Sequence, residues 1–486
     1  MHRPRVRGGR RSVARSSMHN GPALGTLEGR SVRQLAASIL ILVAVCLAGP
    51  SAWAFDLPKD WLPPALVTSR LEIGEPVGLL AGDFNGNGIT DLMIITDLNR
   101  PAFFEPPSGD YAVRFFLLPG AEHGWQEEVL VGTFEAPGRY LFAHAIASGV
   151  DIDGDGNQDA VAVLTFAAGA PVGLEVDTLE THLVILWGDG HGSFGMDDRR
   201  VEAGLLPPLS ILLGDLDGDG RVDLAYNDPQ NLAIRVLYNQ GGRVWSDPHT
   251  VEVVGPEGAP IEDECILIPM TCAIGRVDPT LTQDTVAVVG PCLTDQGDYV
   301  QALRFLVSCG EDCWDLSPLV QTGPVSTSFD TALGHILVGD VDRDGCEDVV
   351  FTRRIFLPEQ GAALMIPPIM GVYLMPCVRR PGLEPPTELG AVHSGGFFFA
   401  KALLSVDRTP DGLWRIVAFD RDQNSVGVLH VQGESGGLIS TSIPVRGVVV
   451  DGVTIERDGR REIVVVASLD LRSGVTLLNV VTRRSP

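Results

Sequence analysis

The chain has 486 residues, with 62 Asp and Glu against 36 Lys and Arg and a formal charge of −26. So acidic a surface repels nucleic acid and anionic lipid headgroups, which excludes both as partners held by charge. Length alone suggests about three domains, but an internal repeat described below argues for one.

Residues 1–34 carry eight Arg and one Glu, and an apolar run follows from Leu35 to Gly49. Ala52-Trp53-Ala54 fits an A-x-A cleavage signal, so residues 1–54 read as a signal peptide and the mature chain as Phe55–Pro486. The run is short against the ~20 residues of a membrane span, and an uncleaved anchor is the competing reading. Met18 is an alternative start. The leader carries net +7, so its removal takes the formal charge from −26 to −33. A secreted or periplasmic protein is expected, with no stable membrane insertion after cleavage.

Four acidic loops follow in order. The first is Asp83-Phe-Asn85-Gly-Asn87-Gly-Ile89-Thr-Asp91. The second is Asp151-Ile-Asp153-Gly-Asp155-Gly-Asn157-Gln-Asp159. The third is Asp215-Leu-Asp217-Gly-Asp219-Gly-Arg221-Val-Asp223, and the fourth Asp340-Val-Asp342-Arg-Asp344-Gly-Cys346-Glu-Asp348. Hard cations such as Ca²⁺ take six to eight oxygen ligands, and a tight acidic loop with Gly at position 6 supplies them. Side chains at positions 1, 3, 5 and 9 are the candidate ligands. Position 7 offers its backbone carbonyl, from Ile89, Asn157, Arg221 or Cys346. These positions hold 14 carboxylates, so the expected cofactor is three to four Ca²⁺ ions. Ligand charge tunes affinity, and the two Asn of the first loop make it the weakest site. A polar turn that holds no metal is the alternative for each loop.

An EF-hand would need a carboxylate at position 12 and flanking helices. Position 12 is Ile94, Ala162, Tyr226 or Phe351, and the flanks are apolar, partly β-branched runs that read as strands. Each loop is therefore expected to join two antiparallel strands, with the ninth-position Asp opening the second.

The acidic hairpin followed by a short apolar strand resembles the FG-GAP/VCBS repeats of integrin-α-type β-propellers. Leu-Trp187-Gly-Asp-Gly-His-Gly-Ser-Phe194-Gly and Leu-Tyr238-Asn-Gln-Gly-Gly-Arg-Val-Trp245 resemble a later hairpin turn of the same unit. The resemblance spans roughly residues 70–486 at repeat level. It implies a propeller that binds calcium, and a role in adhesion or recognition.

Loop starts fall 68, 64 and 125 residues apart. The double gap holds a worn copy, Asp278 to Asp284. Further worn copies follow at Asp407-Arg-Thr-Pro-Asp411 and Thr454-Ile-Glu456-Arg-Asp458, which makes seven units. Units of about 60 residues hold four short strands each, and sheets arranged radially about an axis bury both faces. The fold expected is thus an all-β, seven-bladed β-propeller. The last unit lacks a fourth strand, and a spare strand near Ala65–Ile73 is expected to supply it and remove exposed edges.

Seven Cys follow the leader, and export favours disulfides. Proximity in sequence suggests Cys265–Cys272, Cys309–Cys313 and Cys346–Cys377, with Cys292 free. Residues 97–146 and 353–395 read as loops longer than strand connections require, the second bearing Met365, Met370, Tyr373 and Met375; they suit binding, or alternatively fold over a blade edge. Phe397–Phe399 read as core strand. Gly433-Glu-Ser435-Gly-Gly437 and Gly190-His-Gly192-Ser-Phe-Gly195 mimic catalytic and dinucleotide motifs but lack the helices these require. His144, His182, His335 and His393 stand singly. The expectation is a non-catalytic scaffold that recognises a protein or glycan through its blade loops. The alternatives are a propeller-based polysaccharide lyase or hydrolase with a site at the central opening, and a structural module of an envelope assembly.

Overall fold

A computed structural model describes residues 65–66, 75–98, 111–122, 124–168, 179–201, 207–253, 266–294, 296–310, 313–322, 334–341, 345–355, 369–375, 377, 387–393, 403–408, 414–420, 425–431, 438–444, 448–457, 460–468 and 475–481. The proposed leader, Cys265, Asp342, Asp344, Met365, Phe397–Phe399, Asp411, Gly433–Gly437 and Asp458 lie outside these residues. Leu57–Pro486 form one compact unit, and every regular element described in it is a strand. No helix among the described residues is long and apolar enough to cross a membrane.

Seven antiparallel sheets of four or more strands follow one another along the chain. The first runs Glu75–Gly82, Asp91–Leu98, Ala112–Leu118 and Val129–Glu135, each strand beside the next. The second runs Arg139–Val150, Asp159–Ala168, Leu179–Gly188 and Phe194–Val201. The third runs Ile211–Gly214, Asp223–Asp228, Ala233–Leu237 and His249–Glu252. In the fourth, Thr285–Leu293 and Tyr299–Gly310 form the centre, with Thr271–Gly275 and Ile266–Leu267 on one side and Cys313–Leu316 and Val320–Gln321 on the other. The fifth and sixth begin at Ile336–Gly339 and Leu403–Arg408. The seventh has Val448–Arg457, Arg460–Ser468 and Val475–Val481. Its fourth strand is Ala65–Leu66, in the register Ala65↔Asn479 and Leu66↔Leu478. The spare N-terminal strand does pair where expected, although it is shorter than the stretch to Ile73.

Alternation along each strand sends one set of side chains to each face, and both faces are apolar. Met93 and Ile95 face a core shared with Leu164, Phe166 and Val184 of the second sheet. Leu92 and Ile94, the alternate residues, pack with Ile455 and Val464 of the seventh. Further cores lie between the second and third sheets around Trp187 and Tyr226, the third and fourth, the fourth and fifth, and the fifth and sixth. The first strands of consecutive sheets touch in turn, and Val448–Arg457 touches Glu75–Gly82. Across that last seam the Leu79 amide donates to Asp451 Oδ2 at 2.9 Å.

Two expectations are corrected. Residues 97–146 and 353–395 are not long binding loops, because each supplies later strands of its sheet, among them Ala112–Leu118, Val129–Glu135, Ile369–Met375 and Thr387–His393. Tyr373 and Met375 are core residues, 6% and 2% exposed. A unit of this length needs those strands to complete four. The cysteines are also reassigned. Cys309–Cys313 and Cys346–Cys377 are bonded, but Cys272 is free and buried and Cys292 is disulfide-bonded. Register decides this rather than sequence distance. Both cysteines belong to the same buried core, but they stand at different points of the sheet, Cys272 opposite Val288 and Cys292 opposite Leu267.

A repeated contact locks the seams. The Asp83 amide donates to Gln158 Oε1 at 2.6 Å, the Asp215 amide to Asp284 Oδ2 at 3.0 Å, and the Arg276 amide to Glu347 Oε2 at 2.5 Å. In each case the donor follows the glycine that ends a first strand. The acceptor directly precedes the second strand of the next sheet. A Cβ on Gly82, Gly214 or Gly275 would collide with that acceptor. At Gly275 it would also meet Val338 Cγ1, a stiff branched side chain. Gly275→Ala is therefore expected to destabilise the chain by about 1–3 kcal/mol, the usual cost of overpacking. Urea unfolding measures it, and an unchanged midpoint would mean that the seam yields freely.

Candidate metal centres

Each acidic loop sits between the first and second strands of its sheet, in the first, second, third and fifth sheets. The ninth residue, Asp91, Asp159, Asp223 or Asp348, is the first residue of the second strand. Its partner in register is the last residue of the first strand, as in Gly82↔Asp91 and Gly214↔Asp223. The glycines at position 6 are left-handed, with φ of 77°, 91°, 85° and 90° at Gly88, Gly156, Gly220 and Gly345. That conformation suits glycine because it has no Cβ.

The loops fold around their own carboxylates. Asp151 Oδ1 accepts from the Gly154 and Asp155 amides and Oδ2 from Gly156, at 2.8–3.1 Å. Asp153 Oδ1 accepts from Asp155 and Asp155 Oδ1 from Asn157. Asp215, Asp217 and Asp219 repeat this pattern with Gly218, Gly220, the Asp219 amide and Arg221. In the fourth loop the Gly345 amide donates to Asp340 Oδ2 at 3.1 Å.

The ninth-position Asp is buried and ties three pieces of chain together. Asp159 Oδ2 accepts from the Ile152 amide and Oδ1 from Gly188, both at 2.8 Å. Asp223 does the same with Leu216 and Asn239, and Asp348 with Val341 and Cys377. Asp91 accepts from Phe84, Asn85 and Gly120. Two features of this arrangement escaped the sequence reading. One is the partner at the end of the third strand. The other is the apolar residue at position 2, with Phe84, Ile152 and Leu216 no more than 2% exposed. The apolar residue at position 2 of every loop was the available signal.

Two loops gather carboxylates on one point. Ligand oxygens of Asp151, Asp153 and Asp159 lie within 4.8 Å of one another, as do those of Asp215, Asp217 and Asp223. This donor set, all oxygen and anionic, fits a hard divalent cation. The first loop differs. Asn85 Nδ2 donates to Asp91 Oδ1 at 3.0 Å, so a side-chain amide proton meets part of that carboxylate's charge. In the fourth loop Asp340 and Asp348 accept backbone hydrogen bonds from Gly345 and from Val341 and Cys377, and a disulfide joins Cys346 to Cys377.

The worn fourth-sheet copy has Asp284 spent on the seam, where it accepts from the Asp215 amide. Of the singly standing histidines, His182 is held by Asp198 at 2.8 Å and lies edge-on to Phe134.

No family model and no curated protein matches the chain. Solved structures do. Bacillus licheniformis rhamnogalacturonan lyase PL11 is 13% identical, with 88% of this chain and 76% of that one covered and a TM-score of 0.39. The Dos1 propeller is 10% identical over 86% and 95%, with a TM-score of 0.39. Polysaccharide lyase Uly1 is 10% identical over 80% and 88%, with a TM-score of 0.38. A β-xylosidase and a glycoside hydrolase are also similar. The expectation of a non-catalytic chain is corrected by this set, in which carbohydrate-cleaving enzymes recur.

Burial, and then the neighbouring loop carboxylates, pushes Asp159 up to about 6 and Asp223 up to about 7, against hydrogen bonds that pull both down. Unfolded, both would release their protons near 3.8. The folded chain without metal therefore binds more protons between about 4 and about 7, and its stability falls as pH rises through that window. A divalent cation bound by these carboxylates would compete with those protons, so any stabilisation by Ca²⁺ should grow over the same range. Melting temperatures in chelator and in Ca²⁺ across pH 4–8 test this. Metal-free melting that rises toward neutral pH would contradict it.

Proposed function

We propose that the seven sheets are the blades of one closed β-propeller of FG-GAP/VCBS type, exported from the cell and clipped together by Ca²⁺ in its acidic hairpin loops. The observation that carries the calcium reading is the convergence of three carboxylates in each of the loops 151–159 and 215–223. Left without a cation, those groups repel one another, so binding energy becomes folding energy. Ca²⁺ is preferred to Mg²⁺ because loops of mixed carboxylate and carbonyl oxygens suit its higher coordination number. The closed ring is supported by the succession of first-strand contacts that returns from the seventh sheet to the first. The N-terminal strand on the last sheet supports it too. The two disulfides accord with an oxidising, extracellular setting.

For activity, the reading retained is the carbohydrate-directed one, with a polysaccharide as partner and a lyase or hydrolase site at the central opening. It takes the place of the non-catalytic scaffold and is prompted by the lyases and hydrolases among the similar structures. Incubation with a panel of polyuronates and neutral glycans separates the outcomes. Unsaturated ends mark a lyase and new reducing ends a hydrolase, while intact polymer across the panel would remove the reading.

Calcium should raise the melting temperature of the full chain, and Asp159→Ala and Asp223→Ala should each remove part of that rise. Each variant loses one cation and two backbone hydrogen bonds, so each should also cost several degrees without metal. Differential scanning calorimetry with and without chelator measures both. Identical curves for the wild type in both conditions would end the calcium proposal.

A further inference from the structure

The loop 151–159 carries a charge that does not belong to its own sheet. Arg243 lies in the hairpin that joins Asn239–Gly241 to Val244–Trp245 in the third unit. Gly241, Gly242 and Arg243 are all left-handed, with φ of 85°, 60° and 65°. Two glycines adopt this without cost, but an arginine does not. The strained turn sends the guanidinium back across the seam. There its Nε donates to Asp153 Oδ2 at 2.7 Å, and its Cζ stands 4.8 Å from the centre of the Trp187 ring. Both anchors belong to the second sheet. The same hairpin grips the loop a second time, as Asn239 Nδ2 donates to the Ile152 carbonyl at 2.5 Å. Under this cover the Asp153 side chain is only 6% exposed, while Arg243 itself is 46% exposed.

We propose that Arg243 is a resident counter-ion of this loop, a positioning residue that shares Asp153 with the bound cation and holds down calcium affinity there. The inference rests on the calcium reading above. Asp153 is the third-position ligand, and a fixed guanidinium on its outer oxygen sets which oxygen is left to face the loop centre. It also places one positive charge beside the point where two more would bind. Before metal arrives, the same charge offsets part of the repulsion among Asp151, Asp153, Asp155 and Asp159. Arg243 therefore does opposite things to the two states. It stabilises the metal-free loop and opposes the loaded one, and it links that balance to the seam between the second and third sheets. A planar guanidinium suits this task because it can stack on Trp187 and bond a carboxylate at once.

The test uses the full chain and Tb³⁺ as the probe. Trp187 sensitises its luminescence at this loop, and Ca²⁺ titrates it out. Arg243→Met keeps an apolar stem over Trp187 and removes the charge. It should tighten Ca²⁺ binding at this loop on the order of tenfold at low salt, the scale of a unit charge about 6 Å from a divalent ion in water. Added salt should shrink the difference. The metal-free melting temperature of the variant should fall, and Ca²⁺ should restore it. Arg243→Lys keeps the charge and should bind like the wild type. Binding by Arg243→Met that is weaker than wild type, or equal to it, would overturn the proposal, because Arg243 would then be a pure clamp or a bystander. Wild-type chain that gives no sensitised Tb³⁺ signal would overturn the calcium reading beneath it, a distinct result from any change among the variants.

Discussion

A buried aspartate at the head of the second strand, in the four sheets that carry an acidic loop, is the constraint on which those loops depend. Asp159 accepts from the amide of Ile152 in its own loop and from Gly188 at the end of the third strand. Asp223 holds Leu216 and Asn239 in the same way. A buried carboxylate is tolerated only where hydrogen bonds or countercharge meet it. Two backbone amides meet part of the need, and the remaining lone pairs face the other loop carboxylates. One residue type at one position thus closes the first hairpin, fixes the third strand and, in the second and third sheets, brings its carboxylate to a cluster that could hold a cation.

The same region joins one sheet to the next. Gln158, Asp284 and Glu347 each stand just before a second strand and reach back to the amide that follows the preceding sheet's terminal glycine. The glycine that opens the acidic motif is therefore a matter of clearance for a neighbouring side chain as well as of turn geometry. Arg243 and Asn239 reach the second sheet's loop from the third sheet's hairpin. The acidic loops thus stand at the seams between sheets, while apolar cores between neighbouring sheets supply the bulk of the cohesion.

Much of this was legible in the sequence, because a loop ligand pattern and a turn glycine are local features. Asp91, Asp159, Asp223 and Asp348 open second strands as the motif implied, and the spacing of the copies located the sheets. The spare strand at Ala65 was legible by counting. What failed was non-local. Cys272 and Cys265 are close in sequence, yet register buries Cys272 opposite Val288. The stretch 353–395 looked like a loop because its sequence is rich in Pro, yet it supplies strands, and Tyr373 and Met375 are core. Asn85 looked like a weaker ligand, and its amide in fact donates to Asp91. The reach of Arg243 across a seam leaves no local trace beyond the Gly-Gly that precedes it.

The central claim is that a cation completes what the ninth-position aspartate begins. Hydrogen–deuterium exchange at the amides of Ile152, Gly188, Leu216 and Asn239 tests it most directly, since these are the donors to Asp159 and Asp223. With Ca²⁺ in place of chelator, exchange at all four should slow together. Exchange rates at all four that are indifferent to Ca²⁺ would contradict the account.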